Sequence, residues 1–228
     1  MQTYELMSYH VHSSIIYSDG KVESNPSTPN NKSILVCPVC NKAFWNEDAV
    51  HEEFDYEKDE KLPNAMDVHD LPFAFEDDFS AKLVDYYFDL LNNGFASSNN
   101  KEIFLRIEIW HLLNNKIRYK PKTIFSNIKK YGFKQAVKTI ENSRKAKLDF
   151  NSKIKQFDGN LKQLISIFIP EFDEEKLMLA EMHRELGQFK MAYTLLKEID
   201  KSKNPLAHRQ ILNAVKKEKK EVFIIKQK

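Results

Sequence analysis

The sequence contains few of the residues that mark several common classes of protein. Only five of its 228 residues are glycine, which disfavours sandwiches, barrels and glycine-rich phosphate-binding folds. Its two cysteines are too few for a disulfide framework, and they suit a reducing compartment. No apolar run is long enough to cross a bilayer, and the N-terminus lacks the pattern of a secretory signal. We therefore expect a cytoplasmic protein with no membrane partner.

The sequence does contain enough apolar material for a core, together with an uneven distribution of charge. A hydrophobic content of 42% with 12% aromatic residues argues against wholesale disorder. Residues 46–79 carry thirteen Asp or Glu and two Lys, whereas residues 80–228 carry thirty Lys or Arg and seventeen Asp or Glu. Two solvated surfaces of opposite sign explain this pattern. Alternatively, the acidic stretch covers the basic helices and masks a surface meant for an acidic partner.

The N-terminal residues 1–60 predict a small β module. Alternating side chains over residues 8–24 flank Asp19-Gly20, a favoured two-residue hairpin turn. Two short strands then flank Cys37-Pro38-Val39-Cys40. A zinc knuckle is built as strand, CxxC turn and strand, because the turn points backbone amides at the thiolates.

Cys37 and Cys40 supply half of a tetrahedral zinc site, and the sequence has no second CxxC to complete it. Histidines would have to provide the remaining ligands. His10 and His12 lie two residues apart on a predicted strand and share a face, and His51 follows the knuckle. Our hypothesis is a structural zinc ion held by both cysteines and two of these three histidines. The alternatives are a knuckle that has lost its metal and a redox-active CxxC, which the lack of a βαβ pattern disfavours.

Beyond an acidic connector at residues 61–76, the apolar pattern changes to a helical period that predicts a helical bundle over residues 77–228. A possible strand at residues 221–226 ends the chain. It either pairs with the N-terminal hairpin or forms a basic tail, and pairing is favoured because an exposed apolar run invites aggregation. Within the bundle, the spacing predicts helices at about 79–92, 103–117, 121–132, 137–148, 161–168, 173–186 and 189–199.

The last two of these helices carry the clearest repeat signal. Gly187 makes the corner between them, and the small residues Ala180 and Ala192 let two helices approach closely. With Phe189, these residues resemble the Gly-x-aromatic-x-x-Ala hinge of a tetratricopeptide repeat, although Lys176 stands where that family usually has a large aromatic residue. The resemblance implies a groove that holds a protein partner. The groove residues expected on this basis are Leu177, His183, Arg184, Phe189 and Leu196.

As a whole, the chain resembles uncharacterised bacterial proteins that join an N-terminal CPxC knuckle to a C-terminal tetratricopeptide-like bundle. The expected fold is mainly α: an antiparallel helical-hairpin (tetratricopeptide-like) bundle with a small N-terminal β module that resembles a zinc knuckle. The expected function is that of a protein-interaction or scaffold protein with a structural metal knuckle.

Two other functions remain as alternatives. The first is nucleic-acid binding through the knuckle and basic helices, which the adjacent acidic segment and the lack of aromatics among the lysines disfavour. The second is a zinc-dependent enzyme. The sequence has no phosphate loop, nucleophile elbow or HExxH motif, so we do not expect an enzyme.

Overall fold

The computed structural model describes residues 13–25, 33–49, 66–67, 79–118 and 156–227. These residues are mainly helical, with short strands near both ends of the chain. In chain order the elements are β1 (Ser13–Tyr17), β2 (Val22–Asn25), β3 (Ile34–Val36), β4 (Ala43–Trp45), β5 (Met66–Asp67), α1 (Phe79–Asn92), α2 (Asn99–Arg118), α3 (156–167), α4 (Asp173–Glu185), α5 (Phe189–Glu198), α6 (Pro205–Lys216) and β6 (Ile224–Gln227).

The chain divides into two compact units whose boundaries differ from those of the predicted modules, since the predicted connector at 61–76 falls within the first unit. The hairpin tip Ile15–Val22 belongs to the helical unit and not to the knuckle unit. The first unit consists of Met1–Ser14, Glu23–Phe79 and Lys228, and the second of Ile15–Val22 and Ser80–Gln227.

The first unit contains a three-stranded antiparallel sheet with the strand order β4-β3-β5. Leu35 on β3 lies opposite Phe44 on β4 and opposite Asp67 on β5. The residues of β3 are buried, as is Trp45. The predicted strands on either side of the knuckle are therefore confirmed, and the acidic connector contributes a short third strand.

In the second unit, α4 and α5 form the helical hairpin that the sequence predicts. The side chain of Glu175 caps the N-terminus of α4: it accepts hydrogen bonds from the backbone N–H groups of Glu171 (2.7 Å) and Phe172 (3.2 Å). Gly187 ends it with a φ of +78°, a conformation that glycine adopts readily. Ala180 and Ala192 are fully buried where the two helices approach.

Helix α6 is absent from the predicted set of helices. The sequence pattern predicts only a break at Pro205, but this residue occupies the first turn of a new helix. Proline is tolerated there because the N–H groups of the first turn have no acceptor within the helix. The apolar face of α6, which includes Ile211 and Val215, packs in the same core cluster as Leu177 on α4 and Leu196 on α5. The hairpin therefore continues into a third packed helix.

The predicted pairing of the C-terminal strand with the N-terminal hairpin is confirmed. Strand β6 lies antiparallel to β1 in a sheet of order β2-β1-β6, and the strand begins three residues later than the sequence suggested. Next to the strands, the backbone N–H of Ser18 donates to the carbonyl oxygen of Phe223 (2.8 Å). Asp19 and Gly20 lie in the turn between β1 and β2, as predicted, but the turn is longer than the predicted two residues. The N–H of Tyr17 donates to the carbonyl oxygen of Lys21 (2.9 Å), so residues 18–20 form the loop, and Gly20 has a φ of +84°.

A second core cluster joins α2 to α3 and α4. Trp110, Leu161, Leu164 and Met182 form its centre, and all four are fully buried. The predicted helices at 79–92, 103–117 and 161–168 are confirmed, whereas those at 121–132 and 137–148 lie outside the described residues. Within the described ranges, no helix has the length and apolar content required to span a membrane.

Candidate functional site

The knuckle is a tight reversal between β3 and β4. The backbone N–H of Asn41 donates to the carbonyl oxygen of Cys37 (2.8 Å), and the N–H of Cys37 donates to that of Lys42 (3.0 Å). Asn41 has a φ of +55°, which asparagine tolerates better than most residues. Both cysteines are free thiols; Cys40 is exposed and Cys37 is half-buried.

The turn favours the thiolate form of its first cysteine. The backbone N–H groups of Cys40 and Val39, followed by the Cys40 side chain, lower the pKa of Cys37. A thiolate held by backbone amides is the state in which cysteine binds metal ions. The geometry and donor chemistry of the knuckle therefore fit half of a zinc site.

The histidines of the zinc hypothesis, His10, His12 and His51, lie outside the described residues, so their distance from the knuckle stays a prediction. Among the residues that the structure describes, no group of three or more His, Cys, Asp or Glu side chains is placed to hold a metal ion. The described part of the site is thus the cysteine pair alone.

The five expected groove residues lie mostly inside the helical unit. Leu177, Arg184 and Leu196 are buried, so their side chains support the fold and present little surface to a partner. Phe189 packs against the core cluster of the hairpin. His183 is half-buried, and its Nδ1 donates to Oε1 of Gln188 (2.5 Å), which closes the turn between α4 and α5. A partner that bound this hairpin would therefore contact mainly other residues.

Arg184 instead forms a buried ion pair with Glu181 one turn earlier on α4. Its Nε and Nη2 donate to the two carboxylate oxygens at 2.6 and 2.5 Å, and both side chains are fully buried. Burial opposes the charge of the guanidinium, but the hydrogen bond and negative charge of Glu181 raise the pKa of Arg184. Arg184 also donates to the carbonyl oxygens of Lys219 and Glu221, the latter at 3.1 Å. It thereby fastens the C-terminal segment to α4.

A second buried ion pair joins the hairpin turn to α2. Asp19 in the turn after β1 pairs with Arg118 at the end of α2, and both side chains are fully buried. The same carboxylate accepts a hydrogen bond from Nδ2 of Asn114 (2.9 Å), and the Arg118 guanidinium lies over the Tyr17 ring at 4.7 Å from its centroid. Because two buried charges are stable only when paired and hydrogen-bonded, this contact fixes the position of the turn.

Glu185 lies between the two ion pairs. Its Oε2 accepts a hydrogen bond from Nε1 of Trp110 (2.8 Å), and both of its oxygens accept from Nδ2 of Asn114 (3.1 and 3.2 Å). Burial, and next the charge of Glu181, raise the pKa of Glu185 to about 8. Three carboxyl groups share two guanidinium groups in this network, and Nη2 of Arg184 lies 3.8 Å from Oε1 of Glu185.

His111 on α2 completes the network on the side of the hairpin turn. Its Nε2 donates to the carbonyl oxygen of Asp19 (3.1 Å), and its ring stacks against Trp110 with 5.7 Å between centroids. Burial lowers the pKa of His111 to about 4, so the ring is neutral at physiological pH. This histidine is therefore a packed, hydrogen-bonded part of the core.

The network was not predicted, although α4 carried a signal for it. Glu181, Arg184 and Glu185 stand at positions i, i+3 and i+4 of a helix, a spacing at which oppositely charged side chains are neighbours. Asp19 carried no such signal, since aspartate before glycine is explained by the turn alone.

Comparisons with protein-family models, with curated proteins and with solved structures found no match.

Proposed function

We propose that this protein is an interaction scaffold that binds another protein through the surface of its helical hairpins. The observation that carries the proposal is the exposed side of α5. This helix buries Ala192 and Leu196 against its neighbours, while Met191 and Tyr193 are 52% and 37% exposed. Helical periodicity puts these two side chains at opposite borders of the exposed face, with polar residues between them.

The chemistry of the helical unit supports a binding role in preference to catalysis. Its most strongly perturbed carboxyl, Glu185, is enclosed by hydrogen-bond partners of its own fold. The Glu181–Arg184 and Asp19–Arg118 pairs hold helices and strand segments in fixed positions. A rigid frame of this kind suits a surface that must keep its shape when a partner docks.

The test uses the exposed face of α5 directly. Tagged wild-type protein and a Met191→Glu, Tyr193→Glu variant are expressed in the native cell, crosslinked and purified, and the captured proteins are quantified by mass spectrometry. The control is Gln163→Glu with Ser202→Glu, which adds the same charge at two exposed positions. We expect a defined protein that the wild type and the control retain and the α5 variant loses. Equal capture by all three proteins would reject this surface as the binding face.

We further propose that the knuckle binds a structural zinc ion through Cys37, Cys40 and two of His10, His12 and His51. Support comes from the paired free thiols and from the backbone amides that favour the Cys37 thiolate. A small sheet with few buried side chains gains much of its stability from such a site.

Metal analysis of the purified wild-type protein tests this proposal. We expect about one zinc ion per chain, close to none in Cys37→Ser, and a partial loss when two of the three histidines are replaced by alanine. Lys42→Ser is the matched control, since it alters the same turn without removing a ligand. Substoichiometric zinc in the wild type after growth with added zinc would exclude a resident metal ion.

A further inference from the structure

A shallow pocket of about 360 Å³ lies between α6 and the segment that leads from α6 to β6. Ala214 and Val222 are buried at its base, and the half-buried ring of Phe223 lies beside them. Lys217 and Lys219 stand exposed at its rim. The pocket thus combines an apolar floor with two positive charges.

The backbone around the pocket is held in place from two sides. Glu218, with a φ of +51°, reverses the chain after α6, so that the N–H of Lys219 donates to the carbonyl oxygen of Ala214 (3.0 Å). On the other side, buried Arg184 donates to the carbonyl oxygens of Lys219 and Glu221. The rim is therefore preorganised before any ligand enters, which lowers the entropic cost of binding.

The charges at the rim indicate which ligand the pocket suits. Lys217 and Lys219 outnumber Glu221, the acidic residue that lines the same pocket, so the rim attracts negative charge.

We propose that this pocket binds an acidic segment of a partner protein, with one apolar side chain against Ala214 and Val222 and carboxylates beside Lys217 and Lys219. The inference rests on the proposed scaffold function, and it adds to the exposed face of α5 a second binding site, next to α6, with a stated chemical specificity. A peptide fits better than nucleic acid because the floor is a compact apolar depression, whereas single strands are bound along extended grooves by rows of stacking aromatics.

Fluorescence anisotropy with defined probes tests the proposal on the full chain. The main probe is a short fluorescein-labelled peptide with one central Leu flanked by Glu and Asp. Three further probes are the same peptide with Ser in place of Leu, the same peptide with Lys in place of the acids, and a short single-stranded DNA. We expect the acidic Leu peptide to bind most tightly, and Lys217→Glu with Lys219→Glu to weaken it about tenfold or more.

The control variant Lys162→Glu with Lys201→Glu makes the same change of net charge at exposed positions outside the pocket. It should leave the affinity within about twofold of wild type, since distant surface charges are screened. Equal weakening by both variants, equal binding of the Ser peptide, or tighter binding of the DNA would each overturn the proposal. If the α5 variant loses its cellular partner while the pocket variant binds the probe normally, the scaffold function stands and this inference fails.

Discussion

Replacing Glu185 by glutamine tests whether the third carboxyl of the buried network is neutral. The amide has the shape of a protonated carboxyl group and can keep the hydrogen bond from Trp110. Because the folded-state pKa of Glu185 is raised to about 8 from an ordinary value of 4.5, folding takes up a proton between these two values. The wild type therefore loses stability as pH rises through this window, whereas the glutamine variant does not.

The slope of the effect follows from linkage. One proton taken up on folding changes the free energy of unfolding by about 1.4 kcal/mol per pH unit. The stability of Glu185→Gln relative to wild type should therefore be lowest near pH 4.5 and rise by on the order of 4 kcal/mol by pH 8. His111, whose pKa is lowered to about 4, gives the opposite slope below its ordinary value. Since both proteins contain it, its contribution cancels in the difference.

Urea denaturation followed by the helical circular dichroism signal, at several pH values between 5 and 8, measures this difference. The exposed Glu198→Gln is the matched control and should follow the wild type. A difference between Glu185→Gln and wild type that does not change with pH would refute the assignment of a proton to Glu185. A variant that becomes relatively less stable as pH rises would show that the carboxylate is the form that supports the fold.

Three further substitutions test other parts of the helical unit by the same denaturation assay. Asp19→Ala leaves Arg118 buried without its carboxylate and should lower the free energy of unfolding by about 3–5 kcal/mol. Gly187→Ala places a side chain at a φ of +78° and should lower it by about 1–2 kcal/mol; the Lys220 side chain that the new methyl group would meet is flexible and can move. Glu218→Gly relieves a non-glycine residue at a φ of +51° and should raise it by about 0.5–1 kcal/mol.

Helix α3 supplies controls for two of these substitutions. Asp158→Ala removes an exposed carboxylate and should change stability little. Gly159 lies in the helix with open space around the position of a Cβ atom, so Gly159→Ala should stabilise the unit by about 0.5–1 kcal/mol. Losses of equal size at Gly159 and Gly187 would contradict the role of the left-handed backbone at Gly187. Losses of equal size at Asp158 and Asp19 would contradict the role of the buried ion pair.

The elements that could be predicted are those whose signals are local. The glycine at its corner and the alanines where its helices cross predict the α4–α5 hairpin. The strand patterns on either side of the CxxC turn predict the knuckle. The C-terminal strand was predicted because an exposed apolar run needs a partner. Helix α6 was missed because a proline can end one helix or begin the next, and only the packing of Ile211 and Val215 distinguishes the two.

The candidate binding residues were harder to predict than the fold. Family resemblance assigned Arg184 to a groove, but this position pairs with Glu181 and fastens the chain's end. Whether a charged helical residue faces solvent or a buried partner depends on contacts distant in sequence, such as that between Asp19 and Arg118. The proposed zinc ligands raise the same problem, because His10, His12 and His51 would have to be brought to the cysteines by chain segments whose path no local pattern specifies.

The pairing of β1 with β6 has a consequence for how the protein is made. The helical unit contains residues 15–22 together with residues up to 227, and its sheet pairs strands that lie about 200 residues apart in the sequence. The earlier hairpin must therefore wait for β6 to be synthesised before it gains this partner, and contacts of such large separation form slowly. A truncation that removed Ile224–Gln227 would leave β1 at the edge of its sheet, although all the described helices would be present.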